Sequence, residues 1–147
     1  MRRESGFTLI EIMVVLVIIA ILSALIAPQI LGRVDEARVT AARQDIQTIG
    51  TALDFYRMDN FKYPTTDQGL EALVNKPDDP SVRNWRPEGY LKARSVPKDP
   101  WGNEYRYISP GSRGAYDLYS LGADGEQGGE GADADVVSWN LEGTPDQ

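Results

Sequence analysis

The sequence contains no cysteine and no histidine. Without cysteine there are no disulfides, no thiolate nucleophiles and no zinc–thiolate sites. The redox compartment cannot be read from thiol usage, and an oxidising exterior is permitted. The missing histidine removes the commonest general base near neutral pH and the commonest transition-metal ligand, which excludes every His-dependent hydrolase or metalloenzyme scheme. Aspartates and glutamates alone could form a carboxylate pair, but no motif sets one in a recognisable pocket, so no enzymatic activity is expected. Positive charge is also scarce. Against 22 Asp+Glu stand 15 Lys+Arg, giving a formal net charge of -7 and a pI near 4.6. A surface that tracks phosphates is disfavoured, and no nucleic-acid partner is expected.

What the chain does have begins at its N-terminus. Met1 to Gly6 is short, polar and basic, and after Phe7-Thr8-Leu9-Ile10-Glu11 an uncharged run extends from Ile12 to Ala27. Taken out to Leu31, across Pro28 and Gln29, the run is long enough at helical rise to cross about 30 Å of hydrocarbon. A cleaved secretory signal also has a basic start and an apolar stretch, and Ala20, Ala24 and Ala27 offer small residues for a cut. The run is long for such a signal, however, and its helical character continues beyond it. Arg2 and Arg3 precede the span while Arg33 and Arg38 follow it among Asp35 and Glu36, a weak bias that favours a cytoplasmic N-terminus.

Glu11 stands out, because a carboxylate within an apolar segment costs several kcal/mol unless it is neutralised or paired. It either sits near the headgroups, snorkelling or taking up a proton, or awaits a positive partner from another subunit. Ala20 with Ala24, and Ser23 with Ala27, recur four apart. They suit close helix packing, and equally they are ordinary membrane-helix composition. Pro28 and Gly32 weaken the helix, so a kink or local melting is expected there on assembly.

The segment Gly6-Phe7-Thr8-Leu9-Ile10-Glu11 resembles the processing site of type IV pilins and pseudopilins. The resemblance implies a prepilin peptidase that cuts between Gly6 and Phe7 on the cytoplasmic face and N-methylates Phe7. Residues 1–6 are then a leader peptide, 7–31 a transmembrane and filament-core helix, and 32–147 a periplasmic domain. A glycine before the cut lets the backbone enter a membrane-embedded cleft, and the new amine of Phe7 meets the level of Glu11 in a neighbouring subunit. Removing the leader deletes two arginines and one glutamate, so the mature chain is more acidic still.

From Arg33 to about Met58 there is no proline, and Val39, Ala42, Ile46, Ile49, Leu53 and Tyr56 recur at spacings of three and four. This is one amphipathic helix, with Asp45, Gln47, Thr48, Asp54 and Arg57 on its polar side. Tyr63-Pro64 ends it, and Thr66 is placed to cap a short helix through about Val74. Residues 104–108 and 115–121 alternate in strand fashion around Pro110-Gly111-Ser112-Arg113-Gly114 and read as a hairpin over the helix. The expected fold class is α+β, and the resemblance implies a type IV pilin-like ladle, in which a long N-terminal helix packs on a small antiparallel sheet with a loop-rich C-terminal region.

Near the C-terminus, Asp124, Glu126, Glu130, Asp133 and Asp135 lie among five glycines between Gly122 and Gly131. Hard oxygen ligands on a flexible backbone suit Ca²⁺, although the spacing is not that of an EF-hand. From composition alone, a solvated acidic loop is the favoured reading over a Ca²⁺ site.

Three further stretches, Tyr63 to Leu73, Pro100-Trp101-Gly102-Asn103 and Tyr119 to Gly125, resemble the major pseudopilins of type II secretion systems. The absence of cysteine agrees, since many type IV major pilins close a C-terminal disulfide loop. This resemblance implies a Ca²⁺ site in the C-terminal loop, with the Asp124 side chain and the Leu121 carbonyl as first ligands, then Asp133 and Asp135, while Glu126 and Glu130 remain solvated. It implies a helical homo-oligomeric filament anchored in the inner membrane by a single pass. Its expected partners are minor pseudopilins, the prepilin peptidase, an inner-membrane platform protein, an assembly ATPase and the outer-membrane secretin through which folded exoproteins leave. Two other readings remain at this point. One is a type IV pilin for adhesion, motility or DNA uptake; the other is a monomeric single-span protein with a Ca²⁺-dependent binding domain.

Overall fold

The computed structural model describes residues 6–142, with the side chains of 25–31 outside that description. Two compact units divide between Asp35 and Glu36. A single α-helix, α1 (Leu9–Asn60, 52 residues), contributes to both.

In the first unit, α1 begins with a reciprocal cap. The Thr8 hydroxyl accepts the Glu11 N–H at 3.3 Å, while the Thr8 N–H and hydroxyl both donate to Glu11 Oε2, at 3.2 and 3.4 Å. The Thr8 N–H is satisfied in this way, and the Glu11 N–H is shared between the Thr8 hydroxyl and the Thr8 carbonyl at 3.1 Å. The apolar side chains that follow, from Leu9 to Leu22, are exposed on all sides. Among the described residues no helix is long and apolar enough to cross a membrane. The span expected over 7–31 includes side chains outside the described residues, as do the Ala27 member of the small-residue pattern and the leader residues 1–5. Backbone helix continues through Pro28 and Gly32 in this single chain, and the melting expected there concerns the assembled state.

In the second unit the helical periodicity becomes a core. Ala42, Ile46, Ile49, Leu53 and Tyr56 are buried, joined by Ala52, and Val39 packs at their edge. Each fully buried large side chain in this stripe contributes about 1.5–3 kcal/mol of transfer free energy. The helix ends where the Phe61 N–H reaches back to the Arg57 carbonyl at 2.7 Å with Phe61 at φ 62, a left-handed C-terminal cap held without glycine.

Opposite the stripe lie Leu70, Ala72 and Leu73 of a 3-10 turn (Leu70–Leu73), together with Val82 and the inner residues of a three-stranded sheet. The expected short helix is thus a single 3-10 turn. Thr66 does not cap it: the Thr66 hydroxyl bonds both backbone groups of Ser109, and Thr65 accepts the Gln68 N–H.

The expected hairpin forms as β1 (Arg106–Ile108) and β2 (Asp117–Ser120), antiparallel, with Tyr107 opposite Leu118. Its turn is organised by Asp117, which accepts bonds from Ser112 and Arg113. A third strand, β3 (Val136–Val137), pairs antiparallel with the far edge of β2, giving the order β1-β2-β3. Beside local backbone bonds such as the Tyr90 N–H to the Leu73 carbonyl at 2.7 Å, side-chain ties hold the loop between the helix and β1. Arg86 pairs with Asp59 at 2.6 Å, Lys62 with Asp79 at 3.1 Å, and Trp85 Nε1 donates to the Ala72 carbonyl at 2.8 Å.

Candidate functional site

Two regions carry the residues singled out by sequence, and each lies within one unit. At the N-terminal end, Phe7 is 81% exposed, and a Cβ built on Gly6 would meet nothing within 4 Å. The chain itself therefore places no steric demand for glycine at position 6. Glu11 is not a carboxylate without a partner: its Oε2 is engaged by Thr8. Sequence reasoning weighed the membrane cost of Glu11 and overlooked this local role, although the Thr-x-x-Glu spacing that signals it was present.

At the other end, the acidic loop leaves β2 at Leu121 and returns to β3 after Asp135. Its two ends are laced together. The Ala123 N–H donates to the Ala132 carbonyl at 2.9 Å, and Gly122 (φ +67) lies so close to its neighbour that a Cβ there would sit 2.6 Å from the Asp133 carbonyl oxygen. Gly129 presses on the same carbonyl, with a built Cβ at 2.5 Å. Glycine is required at both positions by this approach and by their positive φ.

Asp124 is exposed, its Oδ1 accepting the Glu126 N–H at 3.0 Å. Asp133 is exposed at the end of a 3-10 turn (Gly131–Asp133). Asp135 is half-buried; its Oδ2 accepts the Gly128 N–H at 3.0 Å, while its Oδ1 is buried without a hydrogen-bond partner. The loop thus brings the 122–123, 128–129 and 132–135 segments together. Among the described residues no three carboxylates converge in the manner of a metal site. A cation here would need backbone carbonyls beside the carboxylates, which is the mixed oxygen set that Ca²⁺ accepts. The orphaned Asp135 Oδ1 fits such a ligand, because a buried carboxylate oxygen without a donor is otherwise costly.

Beneath this loop is a network that the sequence reading missed. Asp99 is 4% exposed and Ser120 fully buried. Asp99 Oδ2 accepts the Ser120 hydroxyl at 2.6 Å, and its Oδ1 accepts the N–H groups of Trp101 and Asn103 at 3.1 and 2.8 Å. Elsewhere in this unit, the Tyr105 phenol is pushed upward by burial and by its 2.9 Å bond to Asp45, tying β1's approach to the helix.

Comparison with known proteins places these features in a family. Residues 29–139 match "Type II secretion system (T2SS), protein G", and residues 1–27 match the prokaryotic N-terminal methylation motif. The chain belongs to the type II secretion protein G family. It is 58% identical over 140 residues to the type II secretion system core protein G of Pseudomonas aeruginosa, covering 95% of this chain and 97% of the relative. Identity to the Vibrio cholerae protein of the same name is 53% over 142 residues, covering 97% and 96%. Among solved structures, the major pseudopilin of the type 2 secretion system of enterohaemorrhagic Escherichia coli is similar with a TM-score of 0.64 and 40% identity. That likeness covers 75% of this chain and 93% of the other. The long helix, small antiparallel sheet and connecting loops are those of a type IV pilin-like fold. These relatives favour the pseudopilin reading over a pilin of adhesion, motility or DNA uptake and over a monomeric Ca²⁺-dependent binding protein.

Proposed function

We propose that this protein is the major structural subunit of a type II secretion pseudopilus. Cut between Gly6 and Phe7 and methylated on Phe7, it polymerises into a periplasmic filament that helps push folded exoproteins through the outer-membrane secretin. The observation that carries this reading is the presence in one chain of a methylation-motif match over 1–27 and a protein G match over 29–139. Before assembly the apolar helix anchors the chain in the inner membrane, N-terminus in the cytoplasm and C-terminal domain in the periplasm. Lipid is already apolar, so helix association gains little from the hydrophobic effect, and packing plus the Phe7-to-Glu11 charge contact between subunits supplies selectivity. External work then comes from an assembly ATPase acting through the platform protein, with minor pseudopilins as further partners. The chain does no bond-making chemistry, in keeping with a family of structural subunits.

The test is mass spectrometry of the N-terminus after co-expression with a prepilin peptidase. The expected product begins at Phe7 and carries one added methyl. A chain still beginning at Met1 beside an active peptidase would overturn the reading.

A second part of the proposal concerns the acidic loop, which holds Ca²⁺ through the Asp124 and Asp135 carboxylates, with Asp133 and the Leu121 carbonyl completing the oxygen set. The buried, partnerless Asp135 Oδ1 and the laced glycine backbone support it. Bound Ca²⁺ supplies charge neutralisation and cross-linking of the two loop ends, and so stability rather than reactivity. Chelation is expected to lower the melting temperature of the soluble domain, and Asp124→Ala to abolish that difference. Equal melting of the parent with and without Ca²⁺ would remove the site.

A further inference from the structure

A carboxylate as buried as Asp99 is tolerated only when donors satisfy it. Its oxygens divide their work. Oδ1 accepts the Trp101 and Asn103 N–H groups and closes the turn that follows Pro100; Oδ2 leaves the turn and takes the hydroxyl of Ser120 at 2.6 Å. Ser120 is the last residue of β2, and its Oγ in turn accepts the Gly122 N–H at 3.2 Å. From the other side of the turn, Asn103 Nδ2 donates to the Gly122 carbonyl at 3.4 Å. The Gly122 carbonyl is therefore held directly from the 99–103 turn, and its N–H through Ser120. Gly122 is also the residue whose backbone lies against the Asp133 carbonyl, with Leu121 before it and Asp124 two positions after.

We infer that Asp99 is the positioning residue of the Ca²⁺ loop: through Ser120, and with Asn103, it fixes Gly122 and thereby sets the spacing between the Leu121–Asp124 and Asp133–Asp135 arms. The inference rests on the Ca²⁺ reading of the acidic loop. A role confined to the turn would need Oδ1 alone. The link through Oδ2 is what reaches the loop, and outer partners that hold ligand-bearing backbone commonly change metal affinity by about 10–100-fold when lost.

Asp99→Asn separates the two roles. The amide oxygen can still accept from Trp101 and Asn103, whereas the amide nitrogen cannot accept the Ser120 hydroxyl and, in donating to Ser120 Oγ, competes with the Gly122 N–H for that oxygen. The experiment is calorimetric titration of CaCl₂ into the full-length protein in detergent, with folding of each variant checked by circular dichroism. Asp99→Asn is expected to weaken Ca²⁺ binding about tenfold or more, and Asn103→Ala several-fold. The double variant Asp99→Asn/Ser120→Ala is expected to bind no more weakly than the weaker of its two single variants, since both break one link. Where Asp99→Asn fails to fold, the exposed Asn103→Ala variant decides. Parent-like Ca²⁺ affinity in the folded variants overturns the positioning role while leaving the site intact. Absence of binding to the parent itself overturns the site, and the positioning role with it.

Discussion

The two units of this chain use the same helix in opposite ways. Beyond Glu36, the apolar stripe of α1 from Val39 to Tyr56 is met within the chain, by the 3-10 turn, by Val82 and by the sheet, while Phe55 and Met58 on its other faces stay exposed. Before Asp35, described side chains such as Leu16, Val17 and Ile19 are about half or more exposed, and no face is spared. A helix apolar all round is one that lipid or other helices must cover. The sharp change from an all-apolar to a striped pattern therefore marks where folding of a single subunit ends and dependence on an outside environment begins.

The largest test of that contrast compares two identical truncations. Leu53→Ala, at a fully buried position, is expected to cost the soluble unit about 2–5 kcal/mol of stability in thermal or urea unfolding. Leu16→Ala should leave that unfolding transition unchanged and act only on assembly. Similar shifts from both would break the division.

Alkaline titration separates the regions next. All seven tyrosines lie beyond residue 55. Burial raises the phenols of Tyr56, Tyr107 and Tyr116 from the ordinary 10.0 to about 12, and that of Tyr105 further. Their folded-state values exceed the unfolded ones, so the stability they contribute is intact below pH 10 and is lost as pH climbs through about 12. Near-ultraviolet circular dichroism should report loss of the soluble unit's packing across that window while helical signal from the apolar segment persists in detergent.

A smaller effect is expected from Gly122→Ala, which combines a positive φ with a close approach to the Asp133 carbonyl. A loss of about 1–3 kcal/mol in the soluble unit is expected, read as a lower melting temperature. The smallest change is a gain. Phe61 holds φ 62 with its ring 86% exposed, so Phe61→Gly should relieve backbone strain and raise stability by up to about 1 kcal/mol.

The features legible in the sequence were those with a period. Val39 through Tyr56 repeat every three or four residues, and the buried stripe follows them; residues 104–108 and 115–121 alternate around a Pro-Gly turn, and β1 and β2 formed there. Val136–Val137 is too short to show alternation, and it becomes a strand only because the acidic loop returns it to the free edge of β2. Thr66 looked like a cap by position, yet its hydroxyl is claimed by Ser109, 43 residues away, a competition that no local pattern records. Asp99 was hidden for a similar reason. In sequence it is one more turn aspartate before a proline, and only the approach of β2 gives its second oxygen a purpose. The acidic loop was legible as a set of oxygen donors, while the arrangement that unites them depends on Gly122 and Gly129 lying against one carbonyl.

The reciprocal cap formed by Thr8 and Glu11 begins two positions after Gly6. A cut before Phe7 would thus leave every bond of that first turn in place and alter only what stands at its mouth. The newly exposed ammonium would face the positive pole of the helix macrodipole, an arrangement that is unfavourable by itself. A carboxylate already fastened in the same turn offsets that repulsion, so the subunit can carry its fresh charge without unwinding.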